Sequence, residues 1–217
     1  MKSGRKTPEA RKPSAIVPRM TVPEPGDPDY VWPRPPQGGY TADDLDRLPN
    51  LPPHTQLLDA SLVFASRQTN FHSRVTSALG LSLVHQAGPA VEVIHQMTVT
   101  LGRRDRPEPD LMLVRAEADE GPAQTSYAPE DVLLAVEVVS PDSVARDRDA
   151  KPRKYAAAGI PHFWRVENDN GRPVVYVFEL EPATRTYAPT GIFRDRLKVT
   201  VPCPLDIDLT EAQLPNG

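Results

Sequence analysis

Residues 131–139 read DVLLAVEVV, the most apolar stretch of the chain, with one acid, Glu137, set inside it. A short run built on Val, Leu and Ala fits a central strand covered on both faces. A carboxylate in such a strand is costly unless a cation pairs with it or a metal coordinates it. Glu137 is therefore a candidate functional residue.

Working outward, Pro109 precedes DLMLV (110–114), a short strand with Asp110 at its start. VEVIHQMTVTL (91–101) alternates apolar and polar residues as a half-buried strand does. Downstream, a helix is expected from about Asp149 to Ala158, with Gly159 in the C′ place. HFWRVEN (162–168) and VVYVFEL (174–180) read as strands flanking Asn170-Gly171, a strong hairpin signal. LKVTVPCPLDIDL (197–209) supplies a last strand and a trailing edge segment.

Towards the N-terminus, Asn70 is expected to cap a helix from about Phe71 to Gln86. Val75, Leu79 and Leu83 give it one apolar face, with Ala78 alongside, and Gly88-Pro89 ends it. QLLDASLVF (56–64) reads as two short strands around Asp59-Ala60. TADDLDRL (41–48) opens a helix capped by Thr41, with Asp43 and Asp44 in its first turn. The fold class is α/β: a central mixed β-sheet flanked by helices. The expected division is a tail over residues 1–38 and a domain over 39–212.

Composition narrows the function. The 217 residues include one cysteine, Cys203, so no intrachain disulfide and no CxxC zinc site can form. No run of about 18 apolar residues is present, so no membrane span is expected. With no apolar stretch behind the basic N-terminus, the cytoplasm is the expected compartment. Residues 1–20 carry six Lys/Arg and one Glu, and residues 1–36 hold nine of the 26 prolines, which predicts a disordered basic tail. The whole chain is −4, so the residues beyond that basic stretch carry −9. An acidic body argues against a DNA-coating protein but suits a site that holds a metal.

Asp110 and Glu137 offer oxygen ligands on adjacent strands, the donor type that magnesium or manganese takes. Lys151 and Lys154 share a face at the start of the next helix and compete for the role of active-site lysine. Pro152 is expected to push Lys151 out of helical geometry into a cap-region position, which makes Lys154 a rival. The bland readings are a turn-capping Asp110 and a Glu137 salt-bridged to Lys151 or Arg153. Ser140 reads as a turn residue, with no nucleophile elbow around it, and Tyr155 and Trp164 as core. None of the five histidines has metal-ligand spacing.

The runs EPDLMLV and LLAVEVVSPDSVARDRDAKPRKYAAAGIPHFWRVEN resemble the Uma-type restriction endonuclease family, within the PD-(D/E)XK nuclease superfamily. The resemblance covers about residues 40–210. It rests on Pro109-Asp110, Glu137-Val138-Val139-Ser140, Asp147, Lys151, Tyr155, Gly159 and Phe163-Trp164. It implies a restriction-endonuclease-like core, with Asp110 and Glu137 as metal ligands beside the Val138 carbonyl, and Lys151 as the catalytic lysine. Gln56, His72 and Lys154 are accessory candidates. The superfamily lysine two residues after the acid is replaced by Val139, and Gln56 stands where the family usually has Glu. The function implied is magnesium- or manganese-dependent hydrolysis of DNA phosphodiesters, in a chain that could form a homodimer. The alternatives are a weakened nuclease fold acting as a nucleic-acid or protein-binding module, or a structural domain.

Overall fold

A computed structural model describes residues 34–213, so the expectation of a disordered tail falls mostly outside the described residues. In chain order the elements are α1 (Asp44–Arg47), β1 (Gln56–Leu58), β2 (Ser61–Val63), α2 (Asn70–Gln86), β3 (Val91–His95), β4 (Thr98–Val99), β5 (Leu111–Arg115) and β6 (Ser126–Tyr127). Then follow β7 (Val132–Val138), α3 (Lys151–Ala158), β8 (His162–Asp169), β9 (Arg172–Glu181), β10 (Thr186–Phe193), β11 (Arg196–Val199) and β12 (Leu205–Asp208).

Six strands form the main sheet in the order β10-β9-β8-β7-β5-β3. Its one parallel pair is β7–β8, joined through α3 as a parallel crossover requires; every other neighbour is antiparallel. The sheet is therefore mixed, and DVLLAVEVV lies inside it.

The two-residue period of a strand sorts its side chains. Leu134, Val136 and Val138 of β7 join Leu111, Leu113, Trp164 and Val166 in one core. The apolar stripe of α2 (Val75, Leu79, Leu83) and the β11–β12 hairpin cover that core. Each of those three α2 residues is at most 1% exposed, worth about 1.5–3 kcal/mol apiece. Ala135, Met112, Val114 and Phe163 point the other way, into a second core with Tyr155 and Ile160 from α3 and its end. Glu137 shares that α3 side, so its burial follows directly from the strand period.

Several local expectations are corrected. α1 is a single turn beginning at Asp44, because the Thr41 N–H and hydroxyl both donate to Asp44 Oδ2 (2.7 and 2.9 Å) instead of Thr41 capping the turn. Thr69, not Asn70, caps α2, its hydroxyl accepting from the His72 N–H at 3.2 Å. The run 91–101 breaks into β3 and β4 at Gln96, which has φ +48. Strand β10, at the opposite edge of the main sheet beside β9, was not foreseen at all. The trailing segment is a full antiparallel hairpin, β11–β12. The Asn170-Gly171 turn is as expected, with φ +52 and +85 closing the β8–β9 hairpin.

The helix before β8 also differs. Residues Arg146–Ala150 form a π-turn that runs into α3. Lys151 is helical (φ −65, ψ −49), and its N–H reaches Arg146 O, five residues back. The helix widens directly ahead of Pro152, which relieves the clash a proline ring makes with the carbonyl four residues behind it. Gly159 ends α3 at φ +91, as expected.

Candidate active site

Asp110 sits one residue before β5, its N–H donating to Val136 O at 3.1 Å. Its Oδ2 accepts from the Val138 N–H at 2.7 Å, so the carboxylate clamps the end of the central strand. Its Oδ1 lies 2.9 Å from His72 Nε2. His72 is buried in the first turn of α2, where the Thr69 cap fixes its backbone. The accessory candidate His72 thus touches the acid directly.

Glu137 is held from both sides. Lys151 Nζ donates to Oε2 at 2.8 Å, and Tyr155 OH donates to Oε1 at 2.6 Å. Lys151 also donates to Glu108 O at 3.2 Å and lies 3.6 Å from Asp147 Oδ1. Lys151 and Tyr155 reach the same carboxylate because residues four apart on a helix share a face. Asp147, in the π-turn, has its Oδ2 bonded by the Ser143 hydroxyl, while its buried Oδ1 has no hydrogen-bond partner.

Burial raises the Glu137 carboxyl well above its ordinary range, and raises Asp147 less strongly. Burial alone would pull the Lys151 ammonium down, but Glu137, Asp147 and Asp110 together outweigh it and raise it. Lys151 therefore stays charged, as the one buried ammonium among the carboxylates.

Gln56 is buried in β1, and its Oε1 is 3.4 Å from the Glu108 N–H. Glu108 lines the same cleft, with His54 Nδ1 at 2.6 Å from its Oε1, and burial raises its carboxyl. Val138 lines the cleft too. Lys154 does not: its ammonium bonds Asp59 (2.5 Å) and Asp105 (2.8 Å). Arg153 is exposed and paired with Asp149.

Glu108, Asp147 and Arg146 were given no role from the sequence, and Tyr155 was read only as core, where it does lie. Asp147 and Tyr155 stood in the recognised motif, and Glu108 is two residues from Asp110. Those spacings were the only signal available. Arg146 lines the cleft with a buried Nε that has no acceptor.

Among the described residues, no three His, Cys, Asp or Glu side chains are grouped as a metal-ligating set. The donor chemistry still fits a small hard cation. Asp110 and Glu137 line one cleft with the Asp147 oxygen that accepts no hydrogen bond, and magnesium commonly takes one or two carboxylates while keeping several waters.

The Uma2 family, described as "Putative restriction endonuclease", matches residues 42–212. The chain belongs to this family. Among solved structures, the Uma2 chain is similar to one described as a "putative nuclease belonging to DUF820" from Anabaena variabilis ATCC 29413. The two are 16% identical with a TM-score of 0.60, over 79% of this chain and 96% of that one. At that identity the likeness shows the fold, which is nuclease-like. No curated protein matches the Uma2 chain.

Proposed function

We propose that the chain is a metal-dependent endonuclease that hydrolyses DNA phosphodiesters in the cleft of Asp110, Glu137 and Lys151. The observation that carries this reading is the cleft's mixed lining. Carboxylates and a charged lysine face the same space as Arg146, whose Nε lacks an acceptor that a phosphate oxygen could supply.

Asp110 and Glu137 would hold the metal beside the Val138 carbonyl. Bound there, magnesium or manganese would acidify a coordinated water and offset phosphate charge. The chain's own groups do the rest. Lys151 holds the attacking water or a phosphate oxygen and keeps its proton, because the surrounding carboxylates stabilise its charge. Tyr155 fixes the orientation of Glu137, and His72 with the Val138 N–H fixes Asp110. Gln56 would hold a water to the metal.

The test is Asp110→Asn with magnesium and plasmid or linear DNA. Cleavage should vanish while the circular dichroism spectrum is kept; full retained activity would overturn the assignment. An RNA substrate of matched sequence separates DNA from RNA cleavage, and sedimentation tests for the homodimer.

A second reading has its own observation. Both Glu137 oxygens already accept hydrogen bonds, and Gln56 brings no charge. A nuclease fold acting only as a binding module would show no manganese binding at millimolar concentration by calorimetry.

A further inference from the structure

On the far side of α3 lies a second pocket, lined by Arg148, Arg153, Arg165 and Arg185 around Phe178 and Tyr187. We propose that this pocket binds an unpaired nucleotide of a single-stranded nucleic acid, the base lying on the arginine–aromatic floor and the phosphate meeting the arginines. The inference rests on the nucleic-acid reading above and deepens it.

The floor is an aromatic cluster held in place. Phe163 stacks on Tyr187 (centroids 5.5 Å apart, 22° between planes) and packs on Phe178 at 5.7 Å. The Tyr187 hydroxyl donates to Ile160 O at 2.8 Å, which locks the ring. The Arg165 guanidinium lies over Tyr176 at 4.7 Å and over Phe178 at 5.5 Å. Aromatic rings and guanidinium planes of this kind are the surfaces on which unpaired bases stack.

The charge is also right. Two carboxylates pair with three of these four arginines: Glu167 with Arg148 and Arg165, and Asp149 with Arg153. Arg165 Nε is 2.8 Å from Glu167 Oε1 but poorly aligned, and it makes no hydrogen bond. Among the described residues no carboxylate pairs with Arg185, which donates to Ala157 O at 2.9 Å. The pocket is thus locally positive on a body that is otherwise acidic, and charge complementarity calls for an anion.

A strand is favoured over a free nucleotide by continuity. Arg148 lines both this pocket and a groove that contains Ser140, and Ser140 also lines the active-site cleft. A nucleic-acid strand could therefore occupy the cleft and the pocket together.

The experiment uses the full chain in EDTA, so that no metal-dependent cleavage occurs. A fluorescein-labelled single-stranded deoxyadenylate of about 12 nucleotides is compared, by anisotropy, with a blunt duplex of equal length. The single strand should bind more tightly, and deoxyadenosine monophosphate should displace it weakly. Arg185→Gly is the decisive variant, because residue 185 has φ +52, which glycine adopts freely. It should weaken single-strand binding about tenfold and flatten the salt dependence by about 0.7 in slope. Arg165→Leu should do the same, and circular dichroism controls for its packing on Tyr176. Equal affinity for strand and duplex, an unchanged Arg185→Gly, or stronger displacement by O-phosphotyrosine than by the nucleotide would overturn the proposal. Metal-free binding that persists in a chain unable to cleave DNA would sink the nuclease reading alone.

Discussion

Lys151 Nζ lies 2.8 Å from Glu137 Oε2, and neither side chain is more than 5% exposed. A buried pair of this kind is weak evidence for added stability but is costly to break, because the survivor is left as an uncompensated charge. Lys151→Met should therefore lower stability by about 3–5 kcal/mol. The double variant Lys151→Met/Glu137→Gln should recover part of that loss, since a glutamine can still accept from Tyr155. Urea denaturation of the two variants decides it; equal losses would mean that pairing is not what holds Lys151.

His72 touches Asp110 and would act through it. His72→Phe leaves Asp110 Oδ1 without its 2.9 Å partner while filling similar space. Partners that orient a metal-binding group are typically worth about 10- to 100-fold in metal affinity or activity. Manganese titration by calorimetry should show a loss of that size, whereas a residue needed only for packing would change the urea midpoint and leave affinity alone.

Gln56→Glu tests what the missing acid does. Gln56 is 7% exposed and its Oε1 meets the Glu108 N–H, so a carboxylate there would enter an already acidic cleft. Without metal the variant should be less stable than the native chain, through repulsion with Glu108 and Asp110. With manganese it should bind about tenfold more tightly, since charge count at a site sets affinity for hard cations. A variant that gains no affinity would separate residue 56 from any metal.

Much of this was legible because it followed from short-range rules. The apolar run around Glu137 could only be a central strand, and the 4-residue recurrence of Val75, Leu79 and Leu83 could only face a core. β10 was illegible for a physical reason: it is a mostly exposed edge strand whose β-branched and aromatic residues are interrupted by Pro189 and Gly191 at a register shift, which breaks the apolar–polar alternation. The π-turn was illegible because tertiary pairing accompanies it, with Asp147 and Lys151 both turned towards the buried carboxylate. In the cleft, the strand pattern named Asp110 and Glu137 and the family resemblance named Lys151, but neither gave the direction of the Glu108 or Arg146 side chains, which depends on how β1, β5 and the π-turn meet.

Stability should carry a pH signature from the cleft. Burial raises the Glu108 carboxyl above its ordinary value of 4.5, although the His54 hydrogen bond opposes this. Below pH 4.5 the proton is bound in folded and unfolded chains alike, and the contribution is fully present. As pH rises, the unfolded chain releases its proton first, so stability falls until the folded-state value is passed. Glu108→Gln removes that loss. Its urea midpoint should gain on the native chain's as pH rises above 4.5; a constant difference from pH 4 to 8 would contradict a raised carboxyl.

The two candidate lysines make opposite predictions. Lys154 bonds Asp59 and Asp105, and Asp105 Oδ1 also accepts the Asp59 N–H at 2.8 Å. Asp59 and Ala60 turn the β1–β2 hairpin with φ +50 and +62, a conformation that side chains with a Cβ adopt at some cost. Lys154 thus pins a strained turn to α3, and its partner Asp59 is well exposed, which limits the energy. Lys154→Met should cost no more than about 1 kcal/mol and leave magnesium-dependent cleavage within twofold of the native chain. Lys151→Met should abolish cleavage even at temperatures where it stays folded. Parallel DNA-cleavage and thermal-melting measurements on the two variants discriminate the roles, and a large loss of cleavage in Lys154→Met alone would move the active-site lysine to position 154.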